Sequence, residues 1–179
     1  MKKLWMIVCL AVAGAFPAQA GMSWQTKLEN SLPLMGHRNW IVIADAAYPW
    51  QTANGIETVD TGASQIEVTK KVLELLAKTR HVKPTIYTDA ELPHVAETDA
   101  PGITAYRQQL AKLLEKQNVQ SLPHEDIIKK LDEAGQTFHV LILKTRHVQP
   151  YTSVFLQLDC GYWNAESENR LRAALKAAK

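Results

Sequence analysis

The five residues Trp40–Ala44, reading WIVIA, constrain the fold more than any other part of the chain, because they are apolar at every position of an extended segment. A strand of a half-solvated sheet alternates apolar and polar residues; one that does not alternate must be covered on both faces. The segment therefore predicts a central strand with a layer packed on each side. Gly36-His37 stands just before it and Asp45 at its end, so an ionisable group marks each end of an otherwise oily strand. Open α/β sheets place their ligands at strand ends. Two readings are open: a core strand flanked by a satisfied histidine and a capping aspartate, or the spine of a site.

The rest of the chain supplies the layers. Ser23–Leu34 carries Trp24, Leu28 and Leu32 at helical spacing, with Gly36 where a helix would stop. Gln51–Gly62, with Asn54-Gly55 and Thr61-Gly62, reads as a long loop that follows the suspected site and contributes to it. Ser64-Gln65-Ile66-Glu67 has the form of a capping box, and the helix it opens runs to about Thr79. Pro84 ends the connection that follows, and Thr85–Thr88 reads as a short strand. Asp99-Ala100-Pro101 opens another helix, with Ile103, Tyr106, Leu110, Leu113 and Leu114 on one face. Val119–Leu122 is a brief strand and Pro123-His124-Glu125-Asp126 starts a short helix whose acids suit its positive end. Phe138–Leu143 and Val154–Leu158 are the last strands, and from Asn164 a terminal helix offers Leu171 and Leu175 as its apolar contacts. Strands alternate with helices, which makes the chain α/β: a single three-layer domain around a mostly parallel or mixed sheet. Lys78-Thr79-Arg80-His81-Val82 recurs as Lys144-Thr145-Arg146-His147-Val148, but the flanks do not match and the echo marks no repeat.

The first twenty residues read as a leader. Met1-Lys2-Lys3 is a basic start, Leu4–Phe16 an apolar stretch, and Ala18-Gln19-Ala20 a small-x-small cleavage site. The apolar stretch is short for a membrane span. This predicts residues 1–20 as a signal peptide, cleavage near Ala20/Gly21, and a periplasmic or secreted chain with no membrane insertion after processing. Cleavage removes two lysines and no acid, which leaves basic and acidic side chains equal in number. A neutral body offers no general attraction for nucleic acid. Of the two cysteines, Cys9 goes with the leader and Cys160 stays alone, so no intrachain disulfide is available. No glycine-rich phosphate loop or close cysteine or histidine pair at metal-ligand spacing is found; the six histidines are scattered.

Gly36-His37, a polar pair, an aliphatic run, then Asp45-Ala46-Ala47-Tyr48-Pro49 resembles the signature of the D-ribose pyranase and L-fucose mutarotase family. A second stretch, Pro150-Tyr151-Thr152-Ser153-Val154-Phe155-Leu156, is similar to that family's tyrosine-x-asparagine segment and final strand. The resemblance implies an isomerase that interconverts anomeric or ring forms of a free monosaccharide. One group takes a proton from the anomeric hydroxyl, another gives one to the ring oxygen, and no cofactor or metal is needed. Histidine suits either step. By the same resemblance His37 is the catalytic acid, and Asp45, His124, Tyr151 and Ser153 bind the sugar. The expected domain spans 21–163, with 164–179 a helical extension, and the resemblance implies that the active form is a homo-oligomeric ring, such as a decamer, with sites completed across subunit boundaries. The chain departs from the family pattern at Arg38-Asn39, Arg146-His147 and Ser153. The alternative reading is a non-catalytic sugar-binding or assembly protein that retains the fold.

Overall fold

The computed structural model describes residues 22–178; the predicted signal peptide lies outside them. Six strands form one sheet: β1 (Trp40–Ala44), β2 (Ile56–Asp60), β3 (Val82–Asp89), β4 (Val119–Leu122), β5 (Val140–Lys144) and β6 (Val154–Cys160), in the spatial order β2-β5-β1-β6-β3-β4. All pairings are parallel except those of β6, which runs antiparallel to both β1 and β3. The sheet is thus mixed, with five strands sharing one direction. Their carboxyl ends gather at one edge.

Strand alternation divides the core into two. Ile41, Ile43, Leu141, Leu143, Val154 and Leu156 face one side and meet α1 (Trp24–Ser31), α2 (Gln65–Leu76) and α3 (Ile103–Leu114). Trp40, Val42, Val140, Ile142 and Phe155 face the other and meet α4 (His124–Gly135) through Ile127 and Leu131. Every residue of β1 is buried, as a strand at the centre of three layers must be. A fully buried aliphatic side chain contributes about 1.5–3 kcal/mol, so the WIVIA segment is a main anchor of the domain.

The helices begin where local chemistry provides for them. Ser64 Oγ accepts from the Glu67 amide and caps α2, as its sequence foretells. The helix expected from Asp99 begins later, at Ile103, because Pro101 and Gly102 form a turn in which Gly102 takes φ 88°. Only glycine enters that region without steric cost. The Glu97 carboxylate then caps α3 by accepting from the amides of Gly102 and Thr104, which holds its pKa below the usual carboxylate range.

Three expectations need correction. The segment Gln51–Gly62 is not all loop: Ile56–Asp60 forms β2, parallel to β5 from Ile56↔Val140 to Asp60↔Lys144. It is a sheet edge, half-exposed and carrying Glu57 and Asp60, so its strand character is weak in sequence. Pro84 does not end a connection; it lies inside β3, opposite Leu158. The amide of Ile86, two residues on, bonds Asn118 O on the β4 side, so the missing Pro84 N–H would have pointed where β4 has not yet begun. The terminal helix α5 (Ala165–Ala177) buries no residue, and Leu171 and Leu175 are exposed rather than packed.

Candidate functional site

At the carboxyl edge of the parallel strands a cleft of about 380 Å³ opens between the end of β1, the loop that leads into antiparallel β6 and the start of α4. Asp45, Tyr48, His124, Glu125, Pro150 and Tyr151 line it. Asp45 directly follows β1 and is fixed from two sides: its Oδ1 accepts from the Ala47 amide at 2.8 Å and its Oδ2 from Ser153 Oγ at 2.9 Å. Ser153 Oγ also accepts from the Asp45 amide at 3.1 Å. Ser153 is 2% exposed, so it stands behind Asp45 and aims the carboxylate instead of forming cleft wall. That placement suits the short side chain found where the family pattern has asparagine.

His124 is held through both its backbone and its ring. Pro123 cannot cap α4 with a side-chain acceptor, and Glu91, just past β3, does so instead: both its carboxylate oxygens accept from the His124 amide at 3.1 Å. The ring Nδ1 lies 3.1 Å from Oδ1 of Asp89, the last residue of β3. Asp89 is 1% exposed and its Oδ2 has no partner. Burial is the chief reason its carboxyl is raised to about 6; the hydrogen bond and charge of His124 pull it down, while Glu91 and Asp45 push it up. Two carboxylates from one strand end thus grip one histidine by its backbone and its ring.

Tyr151 stands edge-on to the His124 ring, with centroids 5.7 Å apart, and is 40% exposed. Its φ of 57° is left-handed, a conformation that costs a tyrosine about 1–2 kcal/mol. Such strain at a cleft wall is the kind that functional sites hold. Tyr48 packs beneath, its hydroxyl buried without a partner and its pKa raised, chiefly by burial, so it stays protonated. Lys144 Nζ donates to Tyr48 O at 2.7 Å and Gln51 Nε2 to Asp132 Oδ1 at 3.1 Å, which ties this loop to β5 and α4.

His37 is not in this cleft. It precedes β1 and lies exposed at the opposite edge, beside Arg38, Thr85, Gln157 and Asp159. The five-residue strand between it and Asp45 is about 16 Å long, and its burial forbids bending. The two departures beside His37 have structural roles. Asn39 Oδ1 accepts from the Gly36 amide at 2.7 Å and its amide group donates to His139 O at 3.2 Å, while the Arg38 guanidinium lies over the Phe138 ring at 5.6 Å. Of the other two departures, Arg146 is exposed, whereas the His147 ring lies tilted against Tyr106 with centroids 4.6 Å apart and has its pKa lowered by burial. Both line a larger groove of about 580 Å³ that shares only Pro150 with the cleft. The cleft, with its paired and unpaired acids around a histidine, is the better place for proton chemistry.

Asp89, Glu91 and Tyr48 were not among the sequence candidates. A signal exists for the first: the pair Asp89-Ala90 stands at the close of β3, and the same pair, Asp45-Ala46, stands just after β1.

A mixed sheet layered between helices, with acid, imidazole and phenol groups at one strand edge, defines an α/β protein with a small-molecule site at its carboxyl edge. The chain belongs to the RbsD / FucU transport protein family, whose profile matches residues 24–160. The structure of Bacillus subtilis RbsD complexed with D-ribose is 24% identical, with a TM-score of 0.52, over 75% of this chain and 92% of that one. It shows the same fold, as the three-layer reading of the sequence requires. The fucose mutarotase of Streptococcus pneumoniae in complex with L-fucose is 23% identical over 74% of this chain and 91% of that one, with a TM-score of 0.49. No curated protein matches the sequence.

Proposed function

We propose that the protein is a sugar mutarotase or pyranase, an isomerase that interconverts the anomeric or ring forms of a free monosaccharide by acid–base catalysis. The observation that carries this reading is the convergence of Asp45, His124 and Tyr151 at one cleft in a chain of the RbsD / FucU family. Relatives crystallised with D-ribose and L-fucose make a pentose or deoxyhexose the first ligands to try. Asp45 accepts from sugar hydroxyls, Tyr151 packs on and hydrogen-bonds the ring, and Ser153 keeps Asp45 aimed. Saturation-transfer NMR on candidate sugars measures anomeric exchange directly; the expected result is acceleration at catalytic protein concentration. Binding without acceleration would favour the non-catalytic alternative.

His37 enters as the acid only if a second copy presents it, since its own cleft lies at the far end of β1. We therefore infer an oligomer, a ring in which the His37 edge of one copy meets the Asp45 edge of the next. His37→Asn and Asp45→Asn proteins should each be inactive, and co-assembled they should regain activity at roughly a quarter of the interfaces, where both wild-type groups meet. Co-assembly that restores nothing would remove the shared site.

Residues 1–20 remain a proposed signal peptide, with the processed chain exported to the periplasm or beyond. Among the described residues no helix is long and apolar enough to cross a membrane. Mass spectrometry of the mature protein should find its first residue at or near Gly21. An intact Met1 in the cytoplasmic fraction would end this proposal.

A further inference from the structure

We propose that Asp89 and His124 act as a catalytic pair in which buried Asp89 is a positioning residue and His124, through its Nε2, is the base that takes the proton from the anomeric hydroxyl. This rests on the mutarotase reading and deepens it: His124 becomes a proton-transfer group as well as a sugar contact.

The geometry leaves the ring little choice. Nδ1 is engaged by Asp89 Oδ1 at 3.1 Å, and an ionised carboxylate only accepts, so the proton of a neutral ring sits on Nδ1. The lone pair is then on Nε2, in a side chain that is 30% exposed and lines the cleft. Rotation is prevented from below by Asp89, with its side chain fully buried, and from the side by the edge-on Tyr151. Translation is prevented by Glu91, which holds the His124 backbone. A base whose tautomer and direction are fixed before substrate arrives is what general base catalysis requires. A helix-start histidine with no catalytic task needs only its backbone amide capped, as Glu91 does, and can leave a part-exposed ring to water; a desolvated carboxylate under the ring goes beyond that need.

The proton balance closes. The anomeric O–H proton passes to Nε2, the C1–O5 bond breaks as the C1 carbonyl forms, and O5 takes a proton from the imidazolium of His37 presented by the adjoining copy. Reclosure on the other carbonyl face returns both protons. The developing imidazolium faces Asp89 and Glu91 from the end of β3, Asp45 from the end of β1 and Glu125 from its own helix, with Tyr48 and Tyr151 the remaining titratable neighbours.

Two measurements test this. In ¹⁵N-labelled wild-type protein, the His124 ring should show the Nδ1–H tautomer in its neutral form. With an active sugar, Asp89→Asn should lower kcat for anomeric exchange about 10-fold or more while KM moves by less than about 2-fold, since asparagine keeps the shape but not the charge. His124→Gln should lower kcat about 100-fold. An Nε2–H tautomer in an active wild-type protein, or an Asp89→Asn variant with unchanged kcat, overturns the pair alone. A wild-type protein that accelerates no sugar overturns the mutarotase reading and the proton transfer with it, so the two failures are told apart.

Discussion

Asp89 sets stability against function within one side chain. Its carboxyl is raised from 3.8 to about 6, so between those values the folded chain holds a proton that the unfolded chain has released. Stability is then fullest below about pH 4 and declines as pH rises to about 6, a loss of about 3 kcal/mol for this group. Asp89→Asn removes the titration. Urea unfolding from pH 4 to 7 should show the variant gaining on the wild type by about that amount, with the gain complete just above pH 6. Catalysis should run the other way, since the charged carboxylate that weakens the fold is the one that orients His124. Ser153 poses a milder case. Ser153→Ala leaves one Asp45 oxygen and the Asp45 amide without their partner, which should cost about 1–2 kcal/mol and raise KM for sugar more than it lowers kcat.

At the scale of elements, the cleft depends on how α4 is seated. Ile127 and Leu131 bury one side of it, and its last turn meets the turn before β2 with no room to spare: a Cβ on Gly55 would lie 2.3 Å from Gly135 O and 2.7 Å from Phe138 O. Gly55→Ala should therefore push α4 outward, destabilise the domain by about 2 kcal/mol and loosen His124 at the helix's other end. Chemical denaturation and the His124 ring signal would report the two effects separately. On the opposite face, buried Gln65 donates to Ile43 O and Thr152 O and accepts from Thr145 Oγ1, so one side chain of α2 ties together the ends of β1 and β5 and the loop that carries Tyr151. These contacts mark the limit of what could be read in the chain. The apolar run of β1 and the serine cap of α2 are local and were legible. The strand at Ile56–Asp60 was not, because an edge strand has only one covered neighbour to leave its mark, and Pro84 misled because the harmlessness of a missing donor depends on where the next strand begins. Asp89 looked like any polar residue after a strand; only the fold shows His124 above it.

At the scale of the molecule, the family match ends at Cys160, and α5 lies beyond it with no buried side chain. Deleting residues 164–179 should leave the melting temperature of the domain within a few degrees, about the shift of a sub-kcal/mol change. A larger fall would mean that α5 supports a contact between copies. The position of His37 was legible and its distance from Asp45 was not, since eight residues in sequence say nothing of direction until the strand between them is seen to be straight and buried. That rigid spacer has a consequence for how the protein would work in dilute solution. A chain that carries its proposed donor at the head of β1 and its acceptor at the tail cannot close on itself, and head-to-tail contacts become self-limiting only when they return to the starting copy. Turnover is then a property of neighbours and not of chains. Exchange per subunit should hold constant with dilution until the assembly comes apart and then drop steeply, a threshold that activity measured across a dilution series would locate and that added His37→Asn protein, whose intact acceptor ends meet wild-type donors, should move to lower wild-type concentration.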